Sequence, residues 1–362
     1  MKSVPLFPIN PIKPVEVGFQ RREGNRIRCE ICPHYCKLGE GDVGICGGRS
    51  VINGRFIATN YAQVSSLQLD SIEKKPFYHF FPGSDILSVG PNGCNLSCAW
   101  CQNWELSQNN APTRILQPTE LADMIDAIDG IGAAYTYAEP LIWFEYLRDA
   151  GRILHERGLM NLFVTNGFIN AKPLQELLPI SDAFNVDLKT TDDGTFCHYC
   201  KGHLEDVKRN IYAIYDAGKH LEITHLLVTG VNDNLHNIEA VVNWVSALDP
   251  AIPLHLIRYY PSNHYDKPPT SHQFMKEAYR LARSELSYVY LGNTSAGDEQ
   301  NSYCPECGSL LVKRDGSHVE MVGLDGNRCT NCKKELDFHV DVDEKAAATR
   351  VFPIVCERLR IN

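Results

Sequence analysis

Between residues 85 and 295, short apolar runs alternate with longer stretches whose apolar residues recur at helical spacing. The first pattern suits strands buried on both faces, the second amphipathic helices. Strands are predicted at ILSVG (86–90), GAAYTYA (132–138), NLFVTNG (161–167), DAFNVDLK (182–189), HLEITHLLVTG (220–230), PLHLIRYY (253–260) and YVYLGN (288–293). Helices are predicted at 118–128 with Thr119 as N-cap, at 140–158, at 203–218, near 235–247 and at 271–286. The second of these opens on Pro140 and stops at Gly158, the usual punctuation of a helix. Such alternation argues for an α/β fold, a parallel sheet covered by helices. About six or seven units fall short of a complete eight-unit barrel. Trp143, Phe144, Tyr146 and Met160 read as core.

The chain has 362 residues, 44% hydrophobic and 22% charged, which suits a globular protein with a sizeable core. Its net charge of −9 predicts no long-range attraction to nucleic acid or to an anionic membrane. No apolar run is long enough to span a bilayer. Met1–Ile12 carries prolines and no apolar core of a secretory signal, so a cytoplasmic location is expected.

Cysteine changes the picture. Fourteen are present, and eleven fall in three groups. Cys29, Cys32, Cys36 and Cys46 form the first, Cys94, Cys98 and Cys101 the second, and Cys304, Cys307, Cys329 and Cys332 the third. In a reducing compartment such C-x-x-C pairs are metal ligands rather than disulfides. The groups divide the chain into a cysteine-rich head (1–80), a central α/β unit (81–295) and a four-cysteine tail (296–362). Cys197 and Cys200 read as buried thiols, with a third metal pair or a ligand or hydrogen donor to the active site as the alternatives, and Cys356 reads as core.

The central trio, Cys94-x3-Cys98-x2-Cys101, directly follows the first strand. Three thiolates on one glycine-framed loop hold three irons of a [4Fe–4S] cube and leave the fourth open. Three cysteines without a nearby fourth ligand fit zinc poorly.

At this loop the chain resembles the radical S-adenosylmethionine (SAM) superfamily. Within it the chain is similar to the pyruvate formate-lyase activating enzyme group, and most of all to AmmeMemoRadiSam system radical SAM enzymes. The resemblance rests on CEICPHYCKLGEGDVGICGGR (29–49), IEKKPFYHFFPGS (72–84), CQNWELSQ (101–108), YTYAEP (135–140), FVTNGF (163–168), VDLK (186–189) and YCPECG (303–308). It implies a partial (β/α)6 barrel with cluster and SAM at the C-terminal ends of the strands. Reduction of the cluster would split SAM into methionine and a 5′-deoxyadenosyl radical, which abstracts hydrogen from a substrate. The resemblance further implies a protein or peptide substrate, a reductant such as ferredoxin or flavodoxin, and an anaerobic oxidoreductase or activase.

Carried over by motif, Trp100 lies near the adenine. Thr136 and Glu139 meet the SAM amino group, Asn166 the ribose or methionine, and Asp187 and Lys189 the SAM carboxylate. Arg258 meets SAM or substrate. Tyr260 stands where close relatives have a histidine. The head quartet suits either structural zinc or a second iron–sulfur cluster, and spacing does not separate them. The tail quartet has zinc-ribbon spacing, with a mononuclear iron as the alternative and a docking module as the sharper reading. Two rival functions are a cobalamin-dependent radical SAM methyltransferase lacking a standard cobalamin segment, and a non-catalytic multi-metal electron carrier or scaffold.

Overall fold

The structure is a computed structural model that describes residues 14–340 except 296 and 317. Cys356 and the rest of the last apolar segment lie outside the described residues.

Eight strands form one sheet: β1 (Ser66–Ser71), β2 (Asp85–Gly90), β3 (Gly132–Tyr135), β4 (Met160–Thr165), β5 (Ala183–Asp187), β6 (His220–Leu227), β7 (Leu254–Arg258) and β8 (Val289–Gly292). They stand in chain order across the sheet. From β2 to β8 every neighbouring pair is parallel, and β1 returns antiparallel on β2. Seven parallel strands in chain order need six crossovers, which is the partial (β/α)6 barrel with its sheet left open at β1 and β8. The sheet starts at Ser66, inside the segment expected to belong wholly to the head (1–80). Strand β1 escapes the sequence pattern because SLQLDS is a half-exposed edge with no apolar run.

The crossovers carry α1 (Pro118–Ala127), α2 (Phe144–Glu156), α3 (Ala171–Leu177), α4 (Asp193–Cys200), α5 (Leu204–Asp216), α6 (Leu235–Leu248) and α7 (His272–Arg283). Thr119 is not the N-cap of α1. Pro118, whose missing N–H costs nothing at the first helical position, opens the helix two residues earlier than a Thr119 cap would. The N-cap is Gln117, whose backbone N–H donates to the Glu120 carboxylate at 2.7 Å. Helix α2 buries Leu147, Ala150, Gly151 and Leu154, one stripe at three- and four-residue spacing. Trp143, Phe144 and Tyr146 are core, as expected.

The tail folds at the opposite end of the strands from the cysteine loop. Its apolar residues Leu311, Val312, Leu336 and Phe338 share a core with Tyr78, Tyr288 and Tyr290. Beneath this junction Glu222 is fully buried on β6. It accepts from the backbone of Tyr78 and His79 at 2.8 Å each, from His220 Nε2 at 3.0 Å and from His255 Nε2 at 2.5 Å. Burial alone would raise this carboxyl. The histidine hydrogen bonds outweigh it and hold the group well below the usual carboxylate range. His79 stacks on Phe338 at 3.8 Å and reaches Tyr290 Oη at 2.6 Å. Burial pushes its imidazole down to about 3.

A neutral buried histidine makes stability depend on pH. Below the unfolded value of 6.5 the unfolded chain takes up a proton that folded His79 refuses. Stability contributed above that value is therefore lost as pH falls towards 3. Each unit costs up to about 1.4 kcal/mol. Urea unfolding between pH 7.5 and 4.5 should show this slope, and His79→Phe should flatten it; an equal slope in both proteins contradicts the assignment.

Candidate active site and metal centres

The loop after β2 carries Cys94, Cys98 and Cys101. Gly93 has φ +98°, and a Cβ there would stand 2.1 Å from the Cys46 carbonyl oxygen, so only glycine lets the loop pass against the head. The loop is clamped from several elements. Asn95 Nδ2 donates to Phe168 O at 2.6 Å, and His34 Nε2 reaches Asn95 O at 2.6 Å. From the end of α4, Cys200 O accepts the Ser97 N–H at 3.0 Å. Beyond β7, the Ser262 hydroxyl donates to Cys101 O at 3.0 Å and Asn263 Nδ2 to Cys98 O at 3.3 Å.

Ends of the neighbouring strands bring polar groups to these thiols. Asn166 Nδ2 lies 3.6 Å from Cys94 Sγ, and Ser107 Oγ lies 3.2 Å from Cys101 Sγ. Burial pushes the Cys94 and Cys101 thiols above their ordinary range. Cys200 donates to Cys98, which lowers the Cys98 thiol and raises its own. Burial acts to lower the Lys189 ammonium, yet Asp187 and the nearby Cys98 and Cys200 thiols hold it well above the usual range. Desolvated thiols that meet hydrogen-bond donors and a fixed cation suit an iron–sulfur cluster, whose sulfurs are tuned by such contacts.

Glu139 organises the strand ends beside the loop. It is 3% exposed, and burial pushes its carboxyl up to about 7 against three hydrogen bonds. Oε1 accepts from Leu141 N at 3.0 Å and Thr165 Oγ1 at 2.6 Å, and Oε2 from Asn166 N at 2.8 Å. A carboxylate offers about four lone-pair sites, so one remains for an incoming amine.

The other residues singled out in the sequence fall as follows. Trp100 is buried, its ring 5.3 Å from Tyr199 and 5.8 Å from Tyr265. Thr136 is buried at the end of β3, against Gly90. Lys189 Nζ pairs with Asp187 Oδ2 at 3.1 Å. Arg258 donates through Nε to Thr270 O at 2.7 Å and through Nη1 to Tyr260 Oη at 2.7 Å, so Tyr260 orients the arginine. Cys200 is buried and Cys197 exposed, so the expected pair of buried thiols is a single one. The Cys200–Cys98 contact matches the alternative reading of FCHYC, a hydrogen donor to the active site.

All four head cysteines, Cys29, Cys32, Cys36 and Cys46, line one cavity. The tail thiols converge more tightly. Cys304 and Cys332 Sγ are 3.6 Å apart, and Cys307 and Cys329 Sγ 3.7 Å. Zinc–sulfur bonds of about 2.3 Å in a tetrahedron set sulfurs about 3.8 Å apart. The tail therefore has the spacing of a single-ion site.

Residues 89–245 match the Radical SAM superfamily. The chain is 36% identical over 328 residues to protein MJ0808 of Methanocaldococcus jannaschii, spanning 88% of this chain and 98% of that one. It is 25% identical over 185 residues to the pyruvate formate-lyase-activating enzyme of Clostridium pasteurianum, spanning 48% of this chain and 76% of the relative. A solved radical SAM methyltransferase from Sphaerobacter thermophilus superimposes with a TM-score of 0.48 at 18% identity, over 64% of this chain and 71% of that one.

Glu139→Ala strands three buried donors and should cost at least about 3 kcal/mol in chemical denaturation, with Glu139→Gln milder because it keeps one acceptor. A zinc ion in the tail would show four sulfurs at about 2.3 Å in X-ray absorption at the zinc edge. Cys307→Ser and Cys332→Ser together should remove that ion and leave the central cluster's absorption intact.

Proposed function

This chain belongs to the radical SAM superfamily, and we propose that it cleaves SAM reductively at a [4Fe–4S] cluster held by Cys94, Cys98 and Cys101. We further propose that it abstracts hydrogen from a protein or peptide. The observation that carries the reading is the trio itself: three thiols on one loop at the end of β2, Cys98 buried and Cys94 and Cys101 partly buried, met by the Asn166 amide and the Ser107 hydroxyl. When bound and reduced, the cluster supplies the electron that splits SAM into methionine and a 5′-deoxyadenosyl radical.

The chain's own residues do the positioning. Glu139 keeps a lone pair for the SAM amino group while fixing Thr165 and Asn166. Lys189 holds positive charge beside the loop, suited to the SAM carboxylate, with Asp187 setting its direction. Arg258 is aimed by Thr270 and Tyr260, suited to a carboxylate or carbonyl of the substrate. Trp100, packed between Tyr199 and Tyr265, keeps water from beneath the loop. A protein substrate is supported by relatives named as activating enzymes, of pyruvate formate-lyase in Clostridium pasteurianum and of benzylsuccinate synthase in Thauera aromatica. Ferredoxin or flavodoxin suits the reductant, and the tail suits zinc.

Anaerobically reconstituted protein given dithionite and SAM should release 5′-deoxyadenosine and methionine in equal amounts. Cys98→Ala should lower that release at least about a thousandfold, since the cluster loses a ligand. Full cluster loading with no nucleoside released rejects the reading.

A further inference from the structure

Three sets of cysteines in one chain act as internal controls for one another. A single tetrahedral ion draws four sulfurs to about 3.8 Å apart. A four-iron cube places each thiolate on a different iron at a different corner, so its sulfurs stand farther apart. Among the described residues, only Cys304, Cys307, Cys329 and Cys332 bring four thiols within 4.8 Å of one another. The central trio does not meet that spacing, and neither does the head quartet. The head thus sorts with the cluster loop and not with the tail.

What the head thiols enclose points the same way. They line a cavity of about 340 Å3, counting the part open to solvent. All four are free thiols, so no disulfide accounts for them. Arg49 lines the same cavity and is 1% exposed. Its Nη1 donates to Gly48 O at 2.8 Å and Asn60 Oδ1 at 3.0 Å, and its Nη2 to Ile142 O and Glu145 Oε2 at 2.7 Å each. Its Nε is buried with no partner. A buried N–H left unmade costs free energy unless something in the cavity accepts it.

We propose that the head holds a second [4Fe–4S] cluster, ligated by Cys29, Cys32, Cys36 and Cys46, with the Arg49 Nε–H donating to one of its sulfurs. Four thiolates close every iron, so this cluster binds neither SAM nor substrate. Cationic Arg49 offsets part of the negative charge of a four-thiolate cluster. The site lies against the catalytic loop: the Cys46 carbonyl packs on Gly93, next to Cys94, and His34 hydrogen-bonds to Asn95 O. That adjacency suits passage of single electrons from a low-potential iron–sulfur or flavin protein to the central cluster. This role, unlike the site itself, rests on the function proposed above.

The test uses the full chain with Cys94, Cys98 and Cys101 all replaced by alanine, reconstituted anaerobically with iron and sulfide. Acid-labile sulfide decides, because a single-ion tail site contains none. Wild type should hold about eight sulfides and the triple variant about four, a twofold drop. Mössbauer spectra of the triple variant should show one four-iron cluster. A triple variant without sulfide, carrying zinc in the head, overturns the proposal. If the triple variant does not fold, wild type decides alone, at about eight sulfides for the proposal and about four against it. Eight sulfides without 5′-deoxyadenosine release would reject the proposed function and leave this site standing.

Discussion

Thiols at the end of β2 lie partly or wholly out of water, and burial opposes their ionisation at Cys94 and Cys101. Desolvation of this kind sets the design of the surrounding protein, because a buried thiolate needs a cation or a donor. Asn166, Ser107, Cys200 and Lys189 each supply one of these. They arrive from just past β4, from the short helix Trp104–Ser107, from α4 and from just past β5, so the parallel sheet is what gathers them. A parallel sheet ends all its strands on one side, and its crossovers return the chain to the other. The site is a consequence of that geometry, with Glu139 as the pin that joins the ends of β3 and β4.

Much of this was legible in the sequence, for identifiable reasons. Strands β2 to β8 are buried on both faces and therefore read as apolar runs. Helices α2 and α5 carry clean stripes, and α7 an N-cap at Ser271. Elements that failed to show have weaker signals. In α3, AKPLQEL is short and carries a proline. In α4, DGTFCHYC buries only Phe196 and Cys200. The trio was legible because its three cysteines sit on one loop and are close in sequence. The Arg49–Glu145 pair and the His34–Asn95 contact were not, because they join segments far apart in the chain and only the folded packing of head on barrel makes them.

An open sheet has two edges whose unpaired backbone groups invite other strands. Strand β1 answers this at one side by running antiparallel and leaving a short, half-exposed rim. At the other side the tail does the work. Tyr290 of β8 and Tyr288 just before it belong to the same apolar cluster as Cys304, Cys329 and Phe338, so two of the tail's four clustered thiols are packed into the cover of that edge. Arg314 extends the cover by donating to Tyr78 O at 2.7 Å and lying 4.1 Å over the Tyr78 ring. An ion in the tail would then act on the fold of the sheet edge and not on the chemistry at the far end of the strands. This separation lets the chain carry tightly spaced thiols at one end and widely spaced thiols at the other without the two sites competing for one role.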